Sequence, residues 1–334
     1  MSEIVLVGDV GGTSCRFALA RRGDHGIVLE HVKKYSEPKN DQGRVDTPLF
    51  PNFEDTLADY LSGHGIAGDS LRALFALAGP PEDDGSVLMT NRSFWPRIVP
   101  GTLAARFGLT SVTLVNDFAA MARAIPEMSS EDMVEILPGK PRRGAPFVVT
   151  GPGTGFGIAT LVQTPAGRWI PITGQGGHAA YAAHTVREAE LAEALMKAHG
   201  YVSTEMVVSG IWLKPVFDIL SDFHGVPRRD IRAPEILAGA DEGDPVCVET
   251  CLLRARGIMG AAGDVVLING GQGGVVLTGG VAERMPAWLK HSEAVARFRS
   301  RGSETPFMAD VPVSVLMNPE APLIGAAALV FDQA

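Results

Sequence analysis

Twice in this chain a short buried run breaks into a turn of glycine and threonine and then turns apolar again. Ile4–Val7 leads into Gly8-Asp9-Val10-Gly11-Gly12-Thr13 and on to Cys15–Ala20. Phe147–Thr150 leads into Gly151-Pro152-Gly153-Thr154-Gly155 and on to Ile158–Val162. Strand, tight turn, strand is the simplest reading of each. The copies stand about 140 residues apart, close to half the chain. The repeat is weak in sequence but specific in kind. It predicts two related halves, each offering a Gly/Thr hairpin, with the two loops facing each other across a cleft. A length of 334 residues also exceeds one ordinary core and calls for two domains.

The elements between the hairpins follow the same grammar. Leu71–Ala78 reads as a buried strand ended by Gly79-Pro80-Pro81, and Thr113–Val115 as a short strand running into a helix over Phe118–Ala124. Val186–His199 and Val246–Ala262 read as helices, Val265–Ile268 and Val275–Leu277 as strands, and Pro322–Phe331 as a buried terminal helix. Two polar, proline-rich stretches, Glu37–Pro51 and Pro138–Pro146, are linker candidates, the second on a domain surface.

Composition excludes several classes of function. Thirty-eight acids against 29 Lys and Arg leave a net charge of -9 and no basic run, so nucleic acid is not an expected partner. Three cysteines, Cys15, Cys247 and Cys251, are too few and odd in number for a disulfide framework. A reducing compartment, the cytoplasm, is therefore expected. The N-terminus has no basic segment ahead of a long apolar run and reads as a first strand. No uncharged apolar stretch of about 18 residues spans a membrane. The P-loop pattern is missing, since Gly139-Lys140 runs into Pro141, and so are GxGxxG, GxSxG and HExxH. Cys247 and Cys251 lack neighbouring ligands and read as core thiols.

What remains is chemistry suited to phosphate and hydroxyl groups. A turn without Cβ atoms lets backbone N–H groups approach phosphate oxygens, Thr13 adds a hydroxyl, and Asp9 at a strand end can hold Mg²⁺ through water. A plain hairpin turn is the alternative. The second loop, with Gly153 and Thr154, is on its own as easily structural; paired with the first it becomes a phosphate clamp. Thr278-Gly279-Gly280, after a strand, could pass an adenine ring along its backbone or simply open a helix. Asn116-Asp117 follows a strand: Asp117 can accept a proton from a substrate hydroxyl and Asn116 can bond a sugar hydroxyl, or the pair can cap a helix. His178, in Gly174-Gln175-Gly176-Gly177-His178, is a sugar contact or a satisfied loop histidine. Glu205 is a further sugar contact or an acid favoured in a first helical turn.

Taken in order, these pieces resemble the bacterial glucokinases. LVGDVGGT, MTNRSFW at Met89–Trp95, VNDF at Val115–Phe118, TGPGTGFG at Thr150–Gly157, GGH at Gly176–His178, the SxExxxSG pattern at Ser203–Gly210, TGGV at Thr278–Val281 and the closing Pro322-Leu323-Ile324-Gly325 stand as they do in that family, over nearly the whole chain. The resemblance implies an α/β, two-domain actin/hexokinase-like (RNase H-like) fold with an interdomain cleft. The small domain would be residues 1–126 completed by 318–334, and the large domain 127–317. It implies ATP and Mg²⁺ as cofactors, a hexose as substrate and a homodimer. Asp117 matches the catalytic base; Asn91, Asn116, Gln175, His178 and Glu205, with Asp117, match the sugar contacts. Gly8, Asp9, Val10, Gly11, Gly12, Thr13, Gly153 and Thr154 match the phosphate loops, and Gly279 and Gly280 the adenosine loop. In one place the chain departs: the family's EGGH is here Gln175-Gly176-Gly177-His178, and the following Ala179–Ala183 lacks the family's acid. A kinase for another hexose or sugar derivative, or a weakly active sugar-binding protein, is the alternative this raises. The zinc motif CxCGxxGC of a related branch that includes repressors is absent.

Overall fold

The computed structural model describes residues 3–12, 14–36, 50–66, 71–90, 92 and 94–333. Most of the Glu37–Pro51 linker candidate therefore lies outside the described residues. The chain divides into two compact units. One comprises Met1–Ser129, Arg168–Pro171 and Asn318–Ala334; the other Ser130–Gly167 and Ile172–Met317.

The first unit is built on a five-stranded sheet of β1 (Ile4–Val10), β2 (Ser14–Gly23), β3 (Gly26–Ser36), β4 (Arg72–Leu77) and β5 (Ser111–Asn116), in the order β3-β2-β1-β4-β5. β1 and β2 form the predicted antiparallel hairpin, and β1, β4 and β5 run parallel. The strand period of two sorts the side chains. Leu6, Val10, Phe17 and Phe75 face an aromatic-rich layer with Phe53, Tyr60 and Trp95. Val5, Val7, Ala18, Ala20, Leu74 and Ala76 face Ala120, Leu323, Ala326, Ala327 and Val330. Small residues on that second face let the terminal helix, Ala321–Phe331, lie close to the helix Asp117–Ala124. A Cβ at Gly325 would sit 1.8 Å from the Ala120 carbonyl oxygen, so glycine is required there.

A second, six-stranded sheet comprises β6 (Met133–Leu137), β7 (Phe147–Pro152), β8 (Phe156–Gln163), β9 (Trp169–Gly174), β10 (Gly274–Leu277) and β11 (Val313–Leu316), ordered β6-β11-β10-β7-β8-β9. Leaving out β6, this is the first sheet again: a hairpin, β7 and β8, with two parallel strands, β10 and β11, on its other side. The faint repeat in sequence is thus explicit in strand order. The Pro138–Pro146 stretch is irregular and mostly exposed, as expected of a surface connection.

Helix punctuation explains the boundaries. Thr185 caps Val186–His199 by accepting from the Glu188 N–H, and Gly200 ends it in the left-handed region at φ 74°. Asp244 accepts from the N–H groups of Val246 and Cys247, Pro245 takes the first helical position, and the helix runs on to Asn269 before Gly270 stops it at φ 68°. The strand expected over Val265–Ile268 is therefore wrong: these residues are the last turns of that helix. No stop signal precedes Gly270, and Val265 and Val266 are buried while Ile268 is 78% exposed, a helical and not a two-sided strand pattern. β3, β6, β9 and β11 were not legible; the first is amphipathic and the others are short.

Candidate functional site

In the first unit the chemistry gathers at the strand ends. Gly8, Asp9 and Val10 are the last residues of β1. Gly8 has its own packing reason: a Cβ there would lie 2.7 Å from the Phe75 ring and 2.8 Å from Phe17. The Gly11 N–H closes the turn on the Ser14 carbonyl at 2.9 Å. Gly12 is in the turn, whereas Thr13 and Asn91 lie outside the described residues. Asp9 is opposite Arg16 in the hairpin register, with 3.8 Å between Arg16 Nε and Asp9 Oδ2. Burial pushes the Asp9 carboxyl above its ordinary pKa, against the opposing pull of Arg16 and Lys34.

Asn116 and Asp117 divide the capping work between them. Asn116 ends β5 and its Oδ1 accepts from the Phe118 N–H at 3.0 Å, so the N-cap expectation holds for it. Asp117 opens the helix and its Oδ1 shares the same N–H, also at 3.0 Å. Burial first, and then the neighbouring Asp9 charge, push the Asp117 carboxyl up to about 7, while the bonds from Phe118 and Asn116 oppose the shift. A carboxyl so placed can cap the helix and can also accept a proton near neutral pH.

One contributor was missed in the sequence. Arg92, nearly fully buried inside the MTNRSFW segment, donates through Nε to the Gly11 carbonyl at 2.9 Å and lies 4.2 Å over the Trp95 ring. It ties that segment to the first glycine loop. The motif flagged the segment, but nothing local to the sequence showed where the arginine would point.

In the second unit three motifs separated by scores of residues become neighbours. The Thr278 N–H bonds the Thr150 carbonyl at 3.0 Å, and the Val281 N–H bonds the Pro152 carbonyl at 3.1 Å. A Cβ at Gly151 would lie 1.8 Å from the Thr278 oxygen, and one at Gly279, whose φ is 90°, 2.7 Å from the Pro152 oxygen. Only glycine permits that backbone approach. The Gly210 N–H bonds the Gly153 carbonyl at 2.9 Å, and Ile211 reaches Thr154 at 3.3 Å. Around Gly153 itself there is open space where a Cβ would be.

Glu205 opens the four-residue helix Glu205–Val208, and its Oε2 accepts from the Phe156 N–H at 2.8 Å. Gly155 makes room for it, since a Cβ there would be 2.6 Å from Oε2. His178 ends the turn Gly176–His178, which packs on β8 because Gly177 can lie against the Phe156 carbonyl. Gln175 and His178 are both exposed. The Thr204 N–H bonds the Ala179 carbonyl at 2.9 Å, so the GGH and SxE motifs share one support. This unit thus joins Gln175, His178, Glu205, Gly153, Thr154, Gly279 and Gly280; the first joins Asp9, Asn116 and Asp117. No helix among the described residues is long and apolar enough to cross a membrane.

Comparison with known proteins bears on the family and the fold. A family model described as Glucokinase matches residues 6–333. A glucokinase of Stenotrophomonas maltophilia is 34% identical over 337 residues, covering 99% of this chain and 96% of its own. The crystal structure of a glucokinase from an Antarctic psychrotroph superposes with a TM-score of 0.83 at 31% identity, over 99% of this chain and 100% of that one. A ROK family glucokinase from Streptomyces griseus, solved with glucose and AMPPNP, has a TM-score of 0.61 over 98% of both chains. At 18% identity that last likeness speaks for the fold alone.

Proposed function

This chain belongs to the glucokinase family, and we infer that it transfers the γ-phosphoryl group of ATP to the 6-hydroxyl of glucose. The observation that carries the reading is Asp117: a largely buried carboxylate at a strand-to-helix junction, its pKa brought up to about 7. A group poised there accepts a hydroxyl proton at neutral pH and keeps enough basicity to hold it.

In this mechanism the sugar 6-hydroxyl donates its proton to Asp117 as its oxygen attacks the γ-phosphorus, while Asn116, Gln175, His178 and Glu205, with Asn91, hold the remaining hydroxyls. The bond from the γ-phosphorus to the bridging oxygen breaks and ADP leaves. The Gly8–Thr13 turn and Gly153-Thr154 serve the phosphates, through backbone N–H groups not already closing their own turns, and Gly279-Gly280 serve the adenosine. Positioning and electrostatics supply most of the acceleration in such a transfer. Asp9 suits Mg²⁺: its carboxylate is desolvated at a strand end beside the glycine turn, and the described residues hold no cluster of three or more acid, His or Cys ligands that would cage an ion alone. Mg²⁺ bound there, through water and the phosphates, would neutralise charge on the transferred group. A homodimer and a cytoplasmic location complete the reading; light scattering tests the first.

A coupled assay of ADP release over a panel of hexoses tests the function. Glucose-dependent ADP release with Mg²⁺ present is expected. No hexose-dependent release, or a much higher kcat/KM for another sugar, would overturn it.

A further inference from the structure

Arg254 has no place in that mechanism, yet it sits directly behind it. It lies on the long helix Pro245–Asn269 and is 5% exposed. Among the described residues no carboxylate pairs with it. Instead Nη2 donates to two carbonyl oxygens, of Val208 at 2.7 Å and of Ser209 at 3.0 Å. Among the same residues its Nε has no partner, and neither has the buried Ser209 hydroxyl. A buried, unpaired cation is costly, and burial holds its guanidinium down, to about 10. Ordinary core packing would be better served by leucine or methionine.

The two carbonyls say what the cation supports. They end the helix Glu205–Val208 and lead into Gly210. The last carbonyls of a helix have no partner within it, and here both residues are fully buried, away from water. The long helix comes close enough for the contact because Gly257 lies one turn beyond Arg254; a Cβ at Gly257 would be 2.7 Å from Val208 Cγ1. One residue after Ser209, the Gly210 N–H holds the Gly153 carbonyl. Arg254 also lines a small cavity of about 40 Å³ with Gly280, Val281 and Arg284, on the flank of the third loop. A single side chain therefore braces the segment that begins with Glu205 and ends on Gly153.

We propose that Arg254 is a positioning residue that couples sugar binding to nucleotide binding, by clamping the Val208 and Ser209 carbonyls so that Glu205 and the Gly153 loop are held in register. This rests on the assignment above of Glu205 to sugar and Gly153 to phosphate. The charge matters to the clamp, because one guanidinium nitrogen serves two acceptors in a dry site, which no neutral side chain of that length does.

The test uses the whole enzyme. Arg254→Met keeps the bulk and removes both donors. Both KM values, for glucose and for ATP, should rise by about tenfold, the equivalent of one charge-assisted bond, with a smaller change in kcat. Arg254→Lys should recover part of the loss. In Arg254→Ala, free guanidinium ion well below denaturing concentrations should enter the vacated space and lower both KM values again; this arm stands even if the Met variant folds poorly. Ile258→Val, a cavity change in the same helix at a buried position, is the control for lost stability. Hydrogen exchange at the Gly210 amide reads the clamp without reference to function. Unchanged exchange, a rise in only one KM, no rescue by guanidinium, or an equal rise in the control would each overturn the proposal. Faster exchange with both KM values unchanged would overturn it too, through the site assignment; Glu205→Gln, which should by itself raise the glucose KM, separates that failure from failure of the clamp.

Discussion

Asp117→Asn should make the protein more stable and nearly inactive, and both effects have the same cause. The carboxyl rises from its usual 3.8 to about 7 in the folded chain. Roughly three pKa units correspond to about 4 kcal/mol of unfavourable ionisation, a ceiling because the residue retains some solvent contact. An acid whose folded pKa is raised carries no penalty below its unfolded pKa. The penalty grows as pH climbs from about 4 to about 7 and is constant above. Asparagine keeps the acceptor that caps Phe118 and never ionises. It gives up the favourable interaction of a negative charge with the helix N-terminus, about 0.3–1 kcal/mol. The expected net gain at pH 8 is about 1–3 kcal/mol, and most of it should vanish by pH 5, where only about a third of the ionisation penalty remains. Activity moves the other way: without a proton acceptor kcat should fall about 10²–10⁴-fold, with glucose binding retained. Urea unfolding at the two pH values, beside steady-state kinetics and calorimetry, measures all of this. A variant no more stable at pH 8 than at pH 5, relative to the parent, would refute the desolvated carboxylate; a kcat within a few fold of the parent would reduce Asp117 to a cap.

Three further outcomes follow from the same geometry. Asp9→Asn removes the second-largest cause of the Asp117 shift, so the acid limb of the kcat/KM profile should move below pH 7 while more Mg²⁺ is needed for half-maximal rate; an unmoved limb would deny the coupling. Gly155→Ala puts a Cβ where Glu205 Oε2 stands, 2.6 Å away, and should raise the glucose KM about tenfold with a smaller effect on ATP; an unchanged glucose KM would take Glu205 out of the sugar site. Gln175→Glu exchanges a neutral acceptor for a charged one, a difference of about 1 kcal/mol, and should lower the glucose KM by up to tenfold; no gain, or a loss of glucose turnover, would mean that this loop is tuned to another ligand.

The sequence by itself determined the local devices. Gly/Thr turns after buried runs, a proline behind an Asp cap, and glycine where a helix must stop are decided within a few residues, because φ limits and capping bonds act over that distance. That is why both hairpins and the Val186–His199 helix could be read directly, and why a cap at Asn116-Asp117 stood as one of two open readings. Their order along the chain was specific enough to point to a family. Only the tertiary structure decided the rest. Val265–Ile268 has strand composition, but with no stop signal before Gly270 it continues a helix whose inner face is buried. Gly8, read as a phosphate glycine, also leaves room for two phenylalanine rings contributed by other strands. Asp117 acquires its pKa from burial and from Asp9, more than a hundred residues earlier. Arg254 meets the carbonyls of Val208 and Ser209 across some 45 residues of chain. Burial, charge proximity and backbone approach depend on which distant segments are brought together, and short-range preferences carry no record of that.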